Sequence, residues 1–139
     1  MDIAPYLFFN GNAREALAHY CAVFDVPMPE VMTMAGAPPD LPIPADRRDW
    51  VMHATLSLPG GGTLMMSDDF MANSPAMAGC SVQLNFPTAA EARPIFDALA
   101  EGGEVTMAWE PTFWSAGFGT CRDRFGIRWM VGCDEPPAG

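Results

Sequence analysis

The stretch Thr106 to Val131, TMAWEPTFWSAGFGTCRDRFGIRWMV, decides how this chain is read. Its pattern predicts a strand, an aromatic loop, a second strand, a tight turn at Asp123-Arg124-Phe125-Gly126 and a third strand. Trp129 alternates with Ile127 and Val131, which sends it into a core and turns Arg128 and Met130 to the other face. Phe113, Trp114 and Phe118 with Trp129 are too many large rings for one hairpin to cover. They are either core and dimer contact, or the wall of a concave surface that stacks on a ligand, with Trp109 beside them.

Upstream of this stretch, Cys80 to Phe86 reads as a strand with Cys80, Val82, Leu84 and Phe86 inward and Ser81, Gln83 and Asn85 opposite. Thr88 then caps a helix, with Glu91 at the third position and Ala92, Ile95, Phe96 and Leu99 on its apolar face; Gly102-Gly103 ends it. The first half has the same order. Ile3 to Phe9 is a strand, and Asn12 with Glu15 is the expected cap of a helix whose apolar face is Ala13, Ala16, Leu17, Tyr20 and Phe24. Val31 to Met34 is a short strand, and Trp50 to Leu58 and Thr63 to Asp68 form a hairpin about Pro59-Gly60-Gly61-Gly62. Asn12 and Thr88 lie 76 apart, as do Glu15 and Glu91, Ala16 and Ala92, and Tyr20 and Phe96; Gly62 and Gly126 lie 64 apart. The expected organisation is one domain of two βαβββ modules. Module one covers residues 1–69 with a proline-rich loop at 35–49, a connector follows at 70–79, and module two covers 80–134 before a short tail at 135–139.

Half of the 139 residues are hydrophobic and 17% are charged, which excludes a disordered chain. A net charge of −10 with arginine as the sole strongly basic residue type gives no footprint for nucleic acid or an anionic membrane. MDIAPYLFF has neither a basic leader nor a long apolar run, so a cytoplasmic protein without an export signal is expected. Cys21, Cys80, Cys121 and Cys133 have no metal-site spacing and read as reduced, mostly buried thiols.

The chain resembles the PhnB-like group of the vicinal oxygen chelate (glyoxalase, bleomycin resistance and dihydroxybiphenyl dioxygenase) superfamily. The resemblance rests on Pro5-Tyr6-Leu7-Phe8-Phe9 with Gly11-Asn12, His53-Ala54, Met65-Met66-Ser67-Asp68 and Met107-Ala108-Trp109. It continues through Thr112-Phe113-Trp114, Gly117-Phe118-Gly119, Asp123, Phe125-Gly126 and Trp129-Met130. It implies an α+β fold whose two modules curl mixed sheets around a cleft with the helices outside, commonly as a homodimer. The methyltransferase-type labels carried by some relatives find no glycine-rich nucleotide-binding loop here.

The resemblance also implies where metal-dependent relatives place their ligands, namely Pro5, Met66, Ser81 and Met130 in this chain. Proline, thioethers and a serine do not suit a divalent ion, so no metal and no other cofactor is expected. If Pro59 to Gly62 form the whole loop, His53 faces Asp68 across the hairpin, away from the helix. That pair is either an ion pair fixing the hairpin, an oriented general base, or part of a displaced metal site. Arg128 either holds an anionic group or pairs with one of the many acids.

The expected ligand-binding set is Tyr6, His53, Met66, Asp68, Ser81, Gln83, Trp114, Phe118, Arg128 and Met130, with His53 and Asp68 as the catalytic candidates. Three functions fit these residues. One is a metal-independent small-molecule binder with an aromatic, methionine-rich cleft. Another is a lyase, isomerase or dioxygenase-type enzyme using His53 and Asp68, and the third is a structural or regulatory dimer with a vestigial cleft.

Overall fold

Strand alternation and two amphipathic helices organise the protein as two successive units, Met1–Pro75 and Ala76–Gly139. The computed structural model describes all residues 1–139. In the first unit β1 (Tyr6–Phe9) leads into α1 (Ala13–Phe24), then β2 (Val31–Thr33), β3 (Val51–Ser57) and β4 (Thr63–Asp68). The second unit repeats this with β5 (Val82–Phe86), α2 (Ala89–Ala100), β6 (Glu104–Glu110), β7 (Phe118–Arg122) and β8 (Arg128–Cys133). The sheets run β1-β4-β3-β2 and β5-β8-β7-β6, each with one parallel pair, β1 on β4 and β5 on β8. This is an α+β fold of two four-stranded mixed sheets, and neither sheet closes into a barrel. No helix is long and apolar enough to cross a membrane.

Each sheet has a helix-bearing face and a helix-free face. In the first unit Leu7, Ala54, Leu56, Leu64 and Met66 are buried together with Ala13, Ala16, Leu17, Tyr20 and Phe24 of α1. Burying each large side chain contributes about 1.5–3 kcal/mol. In the second unit Trp129 and Val131 of β8 and Cys121 of β7 are buried with Ala92, Phe96 and Leu99 of α2. Pro94 sits inside α2, where it removes one backbone donor; its position is exposed, so water can reach the carbonyl left over.

The helix starts differ from each other and, in one case, from expectation. Thr88 caps α2 as its sequence predicts, accepting from the Glu91 N–H at 3.2 Å. Asn12 makes no side-chain cap. Its task falls to Asp68, at the end of β4, whose Oδ1 accepts from the N–H groups of Gly11 at 2.8 Å and Ala13 at 3.0 Å. A carboxylate at the positive end of a helix is stabilised by the unpaired N–H groups there. Gly11 has φ +108°, and a Cβ there would come within 2.7 Å of the Trp50 ring, so glycine alone fits this turn.

The loop at 35–49 is ordered by local bonds. Ala35 N–H donates to the Arg48 carbonyl at 2.8 Å, and Arg47 donates to the Phe70 carbonyl at 2.6 Å while stacking over Trp50. Strand ends differ modestly from expectation. β1 begins at Tyr6 rather than Ile3, and β5 at Val82, leaving Cys80 exposed. His19 is half-buried beside Tyr20.

Candidate functional site

The β3–β4 hairpin corrects the expected His53–Asp68 pair. The connecting loop takes five residues, closed by Leu58 N–H on the Gly62 carbonyl at 2.7 Å, so Ser57 rather than Leu58 opposes Thr63. The register then pairs Ala54 with Met66 and brings His53 level with Ser67. A one-residue change of register exchanges the faces of a strand. Met66 is therefore fully buried against Leu7 and Ala54 on the helix-bearing side, not in a ligand site. Asp68 turns inward as well, at 4% exposure, with its second oxygen accepting from the Val51 N–H at 3.0 Å. It is a structural clasp with three backbone donors, and it does not face His53.

His53 remains on the helix-free face of the first sheet, with a different partner. Tyr6 Oη lies 2.9 Å from His53 Nδ1, and Thr55 Oγ1 lies 3.0 Å from His53 Nε2. Both ring nitrogens are thus engaged, and the imidazole is held between a phenol and an alcohol. Such a chain orients the ring and can relay a proton. Met65 joins this face as the neighbour of Tyr6 and Thr55, beside the exposed Phe8 and Met32.

The helix-free face of the second sheet carries a pocket of about 280 Å³, lined by Ser81, Thr106, Met107, Thr120 and Met130 with Arg122 and Arg128 beside the 123–127 turn. Ser81, Arg128 and Met130 were expected here; Arg122, Thr106, Met107 and Thr120 were not. The turn runs one residue longer than Asp123 to Gly126 and is centred on Phe125, which makes Arg122 and Arg128 cross-strand partners. Thr106 and Thr120 share a hydroxyl–hydroxyl bond of 2.6 Å, so one hydroxyl proton stays free to donate. Gln83 is exposed on the same face, paired with Met130, but is not part of the pocket lining.

Beneath the turn, Asp123 accepts from the N–H groups of Phe125 and Ile127, each at 2.9 Å, and from Trp129 Nε1 at 2.8 Å. These bonds fix the strands on which both arginines stand. The Cys121 thiol is pushed up to about 11 by burial and by the nearby Asp123 carboxylate, which keeps it protonated and unreactive.

The aromatic wall divides. Trp109 packs on Phe96, ring centroids 5.5 Å apart, and is a packing residue. Phe118 is buried, with Trp114 edge-on to it at 5.5 Å and Phe113 edge-on to Trp114 at 4.7 Å. None of Phe113, Trp114 and Phe118 lines the second-unit pocket.

A metal centre of the kind the superfamily implies does not fit these side chains. The pairing places Tyr6 with Met65 and Gln83 with Met130 on the helix-free faces of the parallel strand pairs. A phenol, an amide and two thioethers are a poor donor set for a divalent hard or borderline ion. The strand correspondence is Met65 with Met130, not Met66 with Met130, and the mismatch in ligand chemistry survives that correction.

A family model described as 3-demethylubiquinone-9 3-methyltransferase matches residues 1–132. The chain belongs to this family. Among its relatives, protein YjdN of Escherichia coli (strain K12) is 30% identical over 142 residues, covering 94% of each chain. The crystal structure of protein PA1353 from Pseudomonas aeruginosa has 44% identity and a TM-score of 0.80, covering 97% of this chain and 98% of the other. A Bacillus cereus protein described as a putative 3-demethylubiquinone-9 3-methyltransferase, PhnB protein, has 25% identity and a TM-score of 0.76, covering 96% and 99%. A glyoxylase/bleomycin resistance protein/dioxygenase domain from Frankia shares the fold, with a TM-score of 0.66 at 11% identity over 96% of this chain and 91% of that one. The chain thus has the fold of that glyoxylase/bleomycin resistance domain, and its relatives include a protein described as PhnB.

The methyltransferase family's label implies a nucleoside methyl donor, and the turns here do not fit one. In doubly wound folds such cofactors lie over open strand-to-helix turns. In this family member the start of α1 is closed by Asp68. The start of α2 is closed by Glu135, whose Oε2 accepts from the Ala89 N–H at 2.8 Å.

Proposed function

We propose that this PhnB-like protein binds a small, largely apolar molecule on the helix-free face of its second sheet, without a metal ion. The observation that carries this reading is the pocket of about 280 Å³ floored by Met107 and Met130 and edged by the Thr106–Thr120 hydroxyl pair. Adaptable thioethers with a few placed polar groups suit a small-molecule site. The Tyr, Met and Gln donor set on the parallel strand pairs supports binding without a metal. The homodimer implied by the superfamily belongs to the same reading and is checked by light scattering.

The test is fluorescence titration with phenylnaphthylamine, a neutral apolar probe. The wild-type protein binds it stoichiometrically, and EDTA leaves the titration unchanged. Met130→Trp, which fills the pocket, weakens it by at least about tenfold, the equivalent of one well-packed apolar contact region. No binding by the wild type, or equal binding by Met130→Trp, overturns the reading.

A second reading follows from the Tyr6–His53–Thr55 chain in the first unit, which has the form of an oriented acid–base group. Turnover of any substrate by this route is abolished in His53→Ala; turnover that persists excludes it.

A further inference from the structure

Arg122 and Arg128 are directly paired across β7 and β8, and both line the second-unit pocket. Like charges placed opposite each other on a sheet repel. Neither guanidinium has an ion-pair or hydrogen-bond partner, although the chain carries 17 acidic residues. Glu104 opposes Arg122 in the β6–β7 register, yet it makes no ion pair with it and does not line the pocket. One acid across the sheet from two guanidinia leaves a positive excess at this end of the pocket.

From this juxtaposition we infer that the ligand carries an oxyanion head, a carboxylate or a phosphate, clamped between Arg122 and Arg128 with its apolar body over Met107 and Met130. The guanidinium fork matches both head groups, because each offers two coplanar acceptor oxygens. The free hydroxyl proton of the Thr106–Thr120 pair supplies a further donor along the body. In a chain of net charge −10, a local cationic pair also selects which anions reach the site, since the rest of the surface repels them. The inference rests on the ligand reading given above and adds the chemical class of the ligand.

Two probes separate this inference from that reading. Anilinonaphthalene sulfonate carries an anionic head, and phenylnaphthylamine has the same rings without it. Arg122→Gln and Arg128→Gln each weaken the sulfonate probe by roughly tenfold more than they weaken the neutral probe, the worth of one charge-assisted hydrogen bond. Inorganic phosphate or benzoate at millimolar concentration displaces the sulfonate probe, and the better competitor names the head group.

The free Arg128→Gln protein melts at or above the wild-type temperature, because the substitution relieves repulsion. A lower melting temperature would mean that Arg128 serves an internal salt bridge, and would overturn the inference. Equal loss of both probes, or displacement by neither anion, would overturn it too while leaving the pocket reading in place. Failure of the wild type to bind either probe removes both.

Discussion

The two units share one topology but use it differently at the carboxyl end of their last strands. In the first, the buried Asp68 joins three stretches of chain, at Gly11, Ala13 and Val51. In the second, that work is divided. Thr88 and the exposed Glu135 serve the helix start, and Asp123 serves the turn and the Trp129 indole. The difference shows that a repeated fold does not repeat its polar anchors, and that one half can concentrate its stability in a single carboxylate. The helix-free faces diverge as well: an imidazole chain in the first unit, a cationic pocket in the second.

The largest effect expected from this contrast is at Asp68. Asp68→Ala leaves buried N–H donors unpaired and costs about 3 kcal/mol or more, whereas Glu135→Ala costs about 0.5 kcal/mol. Urea unfolding followed by circular dichroism checks both, and equal costs would break the comparison. Asp68→Asn falls between, because its amide turns a donor toward the N–H of one of the three partners.

A smaller effect belongs to the first unit's other face. Tyr6→Phe and His53→Ala each cost about 0.5–1 kcal/mol of stability and leave phenylnaphthylamine titration of the second-unit pocket unchanged. Loss of probe binding in His53→Ala would transfer the site to the first unit.

The smallest effects are at the thiols. An aromatic disulfide reagent at pH 8 labels the exposed Cys80 rapidly, and Cys80→Ser abolishes that phase. The Cys121 thiol titrates at about 11 in the folded protein against an ordinary 9.0, so the native state holds its proton more tightly. Its contribution to stability is complete below pH 9 and is lost as pH rises toward 11. Cys121→Ser removes that part of the alkaline slope, and an unchanged slope would show that the thiol is not the group responsible.

Periodicity made the strands, helices and repeat legible, because apolar residues at intervals of two or near four mark faces whatever their partners. Trp129 was placed in the core, and Arg128 and Met130 outward, for that reason. Register was less legible. The glycines at 60–62 do not say whether the loop takes four residues or five, and that single residue moved Met66 and Asp68 from one face to the other. Asn12 looked like a cap because local sequence cannot show the carboxylate of Asp68 arriving from the far end of the unit. Arg122 was overlooked through register as well: a turn of Asp123 to Gly126 alone would pair it with Ile127, and the observed turn, one residue longer, pairs it with Arg128.

Asp68 also dictates an order of events during synthesis. Its bonds to Gly11 and Ala13 span 57 and 55 residues, and β4 is the only strand that pairs with β1. A nascent chain that has emerged only as far as the β3–β4 loop can wind α1 but has nothing on which to seat β1. Closing such long intervals is slow compared with forming a helix, so the first unit assembles when its last strand appears. The carboxylate that locks the helix start is the last residue of that strand to leave the ribosome, which makes it a completion signal for the first half of the protein.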